Sequence, residues 1–196
     1  MGNRTKIIEA SKDLIHRKGY FSTTVDEILS AAEVRKSNFY YHFKSKEELA
    51  LLILDMRIEG FKEEVLNPTL NDNSLSPKTR LTQLFSRVVE YHRNLNCQRG
   101  CPFGNLATEL SDINEKFRSR LNAFFHEWEH ALKVCVEDGM RLGEFRSDID
   151  PTLTACLLLS HIEGAILLVK TYKTIDPLSS GTRLILSLLG AGNNHA

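Results

Sequence analysis

The sequence predicts an all-α protein of about nine helices, because apolar residues recur at helical spacing along most of the chain. The alternation of apolar and polar residues that marks a strand is not sustained anywhere in the 196 residues. Helix starts also recur, as a side-chain oxygen followed by a proline at Ser76-Pro77, Asp150-Pro151 and Asp176-Pro177. A chain of this length buries one good-sized core, or forms a small domain joined to a larger one.

Four helices are predicted before residue 67. Two capping boxes, Thr24-x-x-Glu27 and Ser45-x-x-Glu48, begin the second and the fourth of them. The second helix is short and the third follows it after a tight turn, which is the arrangement of a helix-turn-helix. The predicted ranges are about 4–18, 24–33, 36–43 and 45–66.

Residues 67–77 are rich in Pro, Asn, Asp and Ser and interrupt the helical pattern. Within residues 153–169 the sequence is apolar nearly all round, and only His161 and Glu163 interrupt it. Because a membrane span needs roughly 20 largely uncharged residues, this segment predicts a buried helix, with more apolar surface than one monomer can bury. The helices predicted after the break lie near 78–96, 102–110, 114–139, 152–173 and 178–190.

Composition excludes several function classes. The 25 Lys and Arg residues balance the 25 Asp and Glu residues, so any attraction for nucleic acid has to be local. The N-terminus lacks the apolar segment of a secretory signal, and the four cysteines lack zinc-ligand spacing. We therefore expect a cytoplasmic protein with reduced thiols, without a membrane span, cofactor, metal site or catalytic residues.

The segment VRKSNFYYHFKSK, residues 34–46, combines cations with aromatic rings. A recognition helix needs one face anchored in a small core and another presented to the major groove. Phe39 and Phe43 are four residues apart, so they are predicted to anchor the helix, whereas Lys36 and Tyr40 point outward. The candidate DNA contacts are Thr23, Thr24, Arg35, Lys36, Ser37, Asn38, Tyr40, Tyr41, His42 and Lys46.

The stretch from TTVDEILSAAEV through RKSNFYYHFKSKEELALLIL resembles the TetR family of transcriptional repressors of the TetR/AcrR type. The residues that carry the resemblance are Thr24, Val25, Ile28, Ala32, Val34, Tyr40, His42, Phe43, Lys46, Glu47 and Leu49. The resemblance implies a homodimer that joins through its last two long helices and binds a palindromic DNA operator. It also implies a DNA-binding domain over residues 1–48 and a ligand-binding and dimerisation domain over residues 49–196.

Two residues depart from the family pattern. Glu33 stands where the family usually has glycine, so the turn has to close without an easy left-handed residue. Arg35 stands where the family often has a capping serine, which removes a cap and adds a cation. Further along, GCPFGNLATELSD resembles a motif of one branch of the family, written GCPxGNL.

The C-terminal part contains candidates for contacts with a small-molecule inducer. Cys101 stands at a predicted helix start, where free amides lower the pKa of a thiol, so it is a candidate redox or electrophile sensor. The alternative is a small residue that fits a tight turn. His161 and Glu163 either pair at a dimer interface or reach into a pocket. The six candidate ligand contacts are Tyr91, Cys101, Phe103, Phe124, Trp128 and His161.

Two other functions compete with DNA binding. A cysteine-dependent enzyme would use Cys101 as nucleophile with His126, His130 or His161 as base, but no phosphate loop or nucleophile elbow supports it. A helical adaptor without DNA binding would have the same helix pattern. The segment 34–46 favours the DNA-binding regulator over both.

Overall fold

The computed structural model describes residues 2–190, and within that range it has nine α-helices. A π-helical segment, Lys62–Leu66, continues α4 where the sequence predicted α-helix. The predicted all-α fold is confirmed, and the one β-type contact among the described residues is an isolated bridge between Phe145 and Gly190. The helices are α1 (Asn3–Lys18), α2 (Val25–Ala32), α3 (Lys36–His42), α4 (Lys46–Phe61), α5 (Pro77–Asn94), α6 (Pro102–Leu110), α7 (Glu115–Arg141), α8 (Pro151–Tyr172) and α9 (Asp176–Leu189).

The helix starts follow the predicted caps in two of the three proline sites. Ser76 Oγ accepts a hydrogen bond from the Thr79 amide, and Asp150 Oδ1 accepts two from the first turn of α8. The predicted cap at Asp176 is wrong, because α9 already includes that residue and its N-cap position is Ile175. The Thr174 hydroxyl instead accepts a hydrogen bond from the Asp176 amide, at 3.3 Å.

The chain forms two compact units. Unit 1 contains the chain up to Glu59 together with Pro102–Asn122, and unit 2 contains Gly60–Cys101 and the chain from Ala123 onward. Unit 1 therefore combines α1, α2, α3 and most of α4 with α6 and the start of α7. These spatial units divide the chain differently from the functional division predicted at residue 48, which stays a prediction.

Ion pairs and ring contacts join the separate segments of unit 1. Lys116 Nζ lies 2.7 Å from a Glu47 carboxylate oxygen, and Arg120 Nε lies 2.9 Å from Asp55 Oδ1. Surface pairs of this kind contribute little, on the order of 0–1 kcal/mol each. The greater part of the stability comes from buried apolar side chains, among them Ile7, Ile28, Phe39, Leu49, Leu54 and Phe117.

The core of unit 2 contains an aromatic cluster and a buried ion pair. The Phe61 ring lies 4.6 Å from Trp128 and 5.5 Å from Phe124, measured between ring centroids. Arg80 is buried and its Nη2 lies 2.8 Å from Asp138 Oδ2. The two guanidinium groups of Arg141 and Arg80 hold the pKa of the Asp138 carboxyl below its ordinary value.

Helix α8 has more apolar surface than the described chain buries, as its sequence predicted. Leu153 is 70% exposed and Leu157 and Leu167 are each 62% exposed. Cys156 lies on an apolar stripe that predicts a core position, but it is exposed as well. By length and composition α8 is apolar enough to cross a membrane, a test that core helices of soluble proteins also pass. The exposed leucine face of unit 2 comprises Leu153, Leu157 and Leu167 of α8 with Leu184 and Leu188 of α9.

Candidate nucleic-acid interface

The turn between α2 and α3 closes through a left-handed residue. Glu33 has φ 55° and ψ 46°, and the amide of Glu33 donates to the Ser30 carbonyl at 3.2 Å. The Val34 amide donates to the Leu29 carbonyl at 3.1 Å, which completes the end of α2. The helix-turn-helix thus forms with a glutamate in the conformation that glycine adopts most readily.

Helix α3 has the two faces that a recognition helix requires. Phe39 is fully buried and Phe43, just after the helix, is 4% exposed, with ring centroids 5.8 Å apart. On the other side Tyr40 is 56% exposed and Tyr41 is 83% exposed. The prediction that the phenylalanines anchor the helix while Tyr40 and Lys36 face solvent is confirmed.

The polar residues around α3 are accessible to a partner. Arg35, Ser37 and Lys44 are exposed, and Asn38 and His42 are half-buried. Lys36 Nζ lies 3.6 Å from Asp26 Oδ1, but both side chains are largely exposed, so the pair is weak and a phosphate can compete for the lysine. Helix α3 and the residues that flank it therefore present cations, hydroxyls and one amide within residues 35–44.

Thr24 caps α2 while its side chain stays at the surface. Its Oγ1 accepts from the Glu27 amide at 3.2 Å, and a Glu27 carboxylate oxygen accepts from the Thr24 amide at 2.9 Å. This is the predicted capping box. Lys18 also binds the Glu27 carboxylate, and that bond, followed by the one from the Thr24 amide, lowers the pKa of Glu27 to about 2.

The structure corrects two of the candidate contacts. The Thr23 side chain is fully buried, and its Oγ1 donates to the Gly19 carbonyl at 2.7 Å, so it has no surface to offer a phosphate. Lys46 Nζ donates to the carbonyls of Tyr20 and Thr23, both at 2.9 Å, and lies 4.2 Å from the Tyr20 ring centroid. Burial lowers the pKa of Lys46, in keeping with a structural ammonium group.

The six candidate ligand contacts do not form one described site. Phe103 belongs to unit 1, whereas Tyr91, Cys101, Phe124, Trp128 and His161 belong to unit 2. Phe124 and Trp128 are core residues, and within the described chain the Trp128 Nε1 is buried without a hydrogen-bond partner. Tyr91 is largely exposed at the surface of α5.

Cys101 and His161 have separate surroundings. The Cys101 thiol is buried and hydrogen-bonds the carboxyl of Glu163, whose pKa burial raises. The His161 ring lies 6.4 Å from Phe85, and a Cβ added at Gly181 would lie 2.2 Å from its Cε1. Glu163 and His161 thus contact different parts of unit 2, and their roles at a dimer interface or in a pocket stay predictions.

An open groove between α5 and α9 was not expected from the sequence. It has a volume of about 530 Å³ and lies within unit 2. Its apolar lining comes from Phe85, Val89 and Leu186, and Arg93 and Arg183 bring positive charge to it. The α5 residues that line it recur every three or four positions, a signal that the sequence contained but that fits a core face equally well.

Comparison with known proteins agrees with the geometry. Residues 7–53 match the model of bacterial regulatory proteins of the tetR family, and residues 77–185 match the tetracyclin repressor-like C-terminal domain. The HTH-type transcriptional repressor DhaR of Mycobacterium sp. (strain GP1) is 31% identical over 95% of this chain and 91% of its own length. The transcriptional regulator AcuR of Cereibacter sphaeroides is 34% identical over 90% of this chain and 80% of its own length.

Solved structures show the same fold. The regulatory protein TetR from Rhodobacter sphaeroides superimposes with a TM-score of 0.85 and 31% identity, over 94% of this chain and 97% of that chain. The relatives are transcriptional regulators and not enzymes, which excludes the cysteine-dependent enzyme. With a helix-turn-helix at its N-terminus and both family models matched, the chain belongs to the TetR family of DNA-binding transcriptional regulators.

Proposed function

We propose that this regulator is a cytoplasmic repressor that binds a palindromic operator and is released from it by a small molecule. The observation that carries the proposal is the two-faced α3, with Phe39 and Phe43 buried and Tyr40 and Tyr41 exposed. Residues 1–48 would bind DNA, and residues 49–196 would bind the inducer and form the dimer. The GCPFGNL stretch places the chain, in this proposal, in a branch marked by that motif.

The proposed DNA contacts are the exposed and half-buried residues of and around α3. Thr23 and Lys46 are left out because their side chains are engaged within unit 1. Cations contact phosphates and fix the register, whereas groups that reach base edges read the sequence. The set comprises Thr24, Arg35, Lys36, Ser37, Asn38, Tyr40, Tyr41 and His42.

The proposed dimer joins through α8 and α9. Their exposed leucine face is an apolar surface that water disfavours and that a second copy of the same surface would cover. A two-fold dimer uses the same patch on both subunits. It would place two α3 helices in successive major grooves, roughly 34–36 Å apart.

Operator binding is tested with a labelled duplex that the wild-type protein selects from a random pool. Lys36→Ala is expected to weaken binding and to reduce the slope of log affinity against log salt by about one, because one phosphate contact is lost. Tyr40→Ala is expected to weaken binding, and Lys133→Ala, a half-exposed lysine of α7, is the control. Unchanged affinity for both α3 variants would contradict the proposed interface.

We propose that the inducer binds reversibly within unit 2. Unit 2 offers two places. The groove between α5 and α9 has the volume of a small-molecule site. The core site around Trp128, which does not line the groove, offers the buried Nε1 of Trp128 as a donor that a ligand acceptor can satisfy. Trp128 is the single tryptophan, so its fluorescence reports on this core. A compound that releases operator DNA without changing Trp128 emission would argue against the core site.

The covalent alternative, an electrophile acting on Cys101, is disfavoured by the thiol's surroundings. Cys101 is buried beside the carboxyl of Glu163, and a carboxylate there would oppose formation of a thiolate. Burial raises the pKa of Cys135 to about 12, so that thiol is inert at neutral pH. Iodoacetamide should therefore label half-exposed Cys97 before Cys101, and faster labelling of Cys101 would favour the electrophile.

A further inference from the structure

Glu109, near the end of α6, lies against the turn between α1 and α2. Its Oε2 accepts a hydrogen bond from the Phe21 amide at 3.1 Å, across 88 positions of sequence. Its Oε1 lies 2.2 Å from where a Cβ at Gly19 would stand, and Gly19 has φ +90°. The carboxylate therefore occupies the space that any other residue at position 19 would need.

Lys46 holds the same turn through its carbonyls. Its ammonium group binds the Tyr20 and Thr23 oxygens, and the negative charge of Glu109 raises the lysine's pKa against the effect of burial. The Tyr20 ring also packs 5.7 Å from that of Phe117, at the start of α7. The turn is thus fixed by one anion at an amide and one cation at two carbonyls.

We propose that Glu109 is a positioning residue for operator binding, which holds the Gly19–Thr23 turn so that α2 and α3 are presented correctly to DNA. The turn leads directly into the capped start of α2, and α3 packs against both α1 and α2. A shift of the turn would therefore move the helix-turn-helix as a whole. The inference rests on the proposed operator binding.

The sign of the effect separates positioning from plain electrostatics. DNA is a polyanion, so removal of a carboxylate that served only as a surface charge should tighten binding. Loss of a positioning contact should weaken binding instead. The two roles of Glu109 therefore predict opposite changes in affinity for the same substitution.

The test uses the full-length protein and the duplex that the wild type selects. Glu109→Ala is expected to weaken binding about tenfold, the loss typical of a hydrogen bond to a charged group. Glu109→Gln keeps an oxygen that can accept from the Phe21 amide, so it should restore most of the affinity. Asp112→Asn, an exposed acid three residues further on, makes the same charge change and should leave binding unchanged or slightly tighter.

Amide exchange at Phe21 gives a readout at the contact itself. It should accelerate in Glu109→Ala and not in Asp112→Asn, with α2 and α3 otherwise protected in both. If Glu109→Ala folds poorly, Glu109→Asp, which keeps the charge but is one methylene too short to reach the Phe21 amide, should weaken binding in its place. Wild-type affinity or better in both Glu109→Ala and Glu109→Asp would overturn the inference, whereas failure of the wild type to select any duplex would overturn the proposed function.

Discussion

Glu33 is one of five non-glycine residues of the described chain with a positive φ, and it is the one that closes the helix-turn-helix. A residue with a Cβ in the left-handed region costs about 1–2 kcal/mol compared with the right-handed one, and glycine does not incur that cost. The glutamate is exposed at the surface of the turn. Its conformation is imposed by the end of α2, whose last carbonyls accept the Glu33 and Val34 amides.

Glu33→Gly is expected to raise the free energy of unfolding by about 1 kcal/mol, because it removes the left-handed strain. Ala31→Gly, two residues earlier within α2, should lower it by up to about 1 kcal/mol. Chemical denaturation of both variants in parallel measures the two effects. A destabilised Glu33→Gly would show that the glutamate side chain makes a compensating interaction.

At the residue scale, the sequence predicted the buried and exposed faces of α3 correctly, but it wrongly predicted DNA-contacting side chains at two positions outside the helix. The spacing of Phe39 and Phe43 is local information, so their burial could be predicted. Thr23 and Lys46 depend on contacts with Gly19 and Tyr20 that the tertiary fold creates. The sequence alone does not distinguish a threonine that caps a helix at the surface, as Thr24 does, from one that is buried, as Thr23 is.

At the scale of the element, Glu27 makes two polar contacts that stabilise the N-terminal end of α2. The carboxylate completes the capping box and binds Lys18 of α1. Its pKa of about 2 in the folded protein lies below the ordinary value of 4.5. The ionised form is therefore the one that the folded state favours.

The stabilisation by Glu27 should be fully present above about pH 4.5 and be lost as the pH falls towards 2. Glu27→Gln is expected to show a shallower loss of stability over that window than the wild type. Glu63→Gln, an acid for which no comparable bonds are described, is the control. Equal acid sensitivity in all three proteins would contradict the assignment.

Helix starts were predicted correctly where the capping side chain directly precedes the proline. The prolines after Ser76 and Asp150 mark true helix starts. Asp176 instead lies inside α9, and its amide donates a hydrogen bond to the Thr174 hydroxyl. The excess of apolar residues in α8 predicted more surface than one chain buries, but which side chains stay uncovered depends on how α8 packs in the fold. Leu153 and Leu157 are among the uncovered ones.

At the scale of the whole molecule, the two compact units explain why a division by sequence is incomplete. The segment Pro102–Asn122 lies in the part that the C-terminal family model matches, yet it belongs to the unit with the helix-turn-helix. That association depends on pairs such as Glu109 with Phe21 and Lys116 with Glu47, which are distant in sequence. No local pattern encodes them.

The leucine face predicts an assembly that single substitutions can dissolve. Leu157→Glu is expected to convert a dimer into a folded monomer, because the charge would be buried unpaired in the interface. Leu142→Glu, equally exposed but outside α8 and α9, should leave the assembly intact. Light scattering on the eluting protein measures the mass, and an unchanged dimer in Leu157→Glu would refute the proposed interface.

The uncovered leucines have a consequence for gene control. If this apolar surface is covered only in a dimer, the concentration of dimeric regulator rises more steeply than the total concentration of the chain, as mass action requires. While most chains are monomeric, a cell that halves its synthesis would lose more than half of its dimer. The response would then have a concentration threshold, set by the affinity of α8 and α9 of one subunit for α8 and α9 of the other.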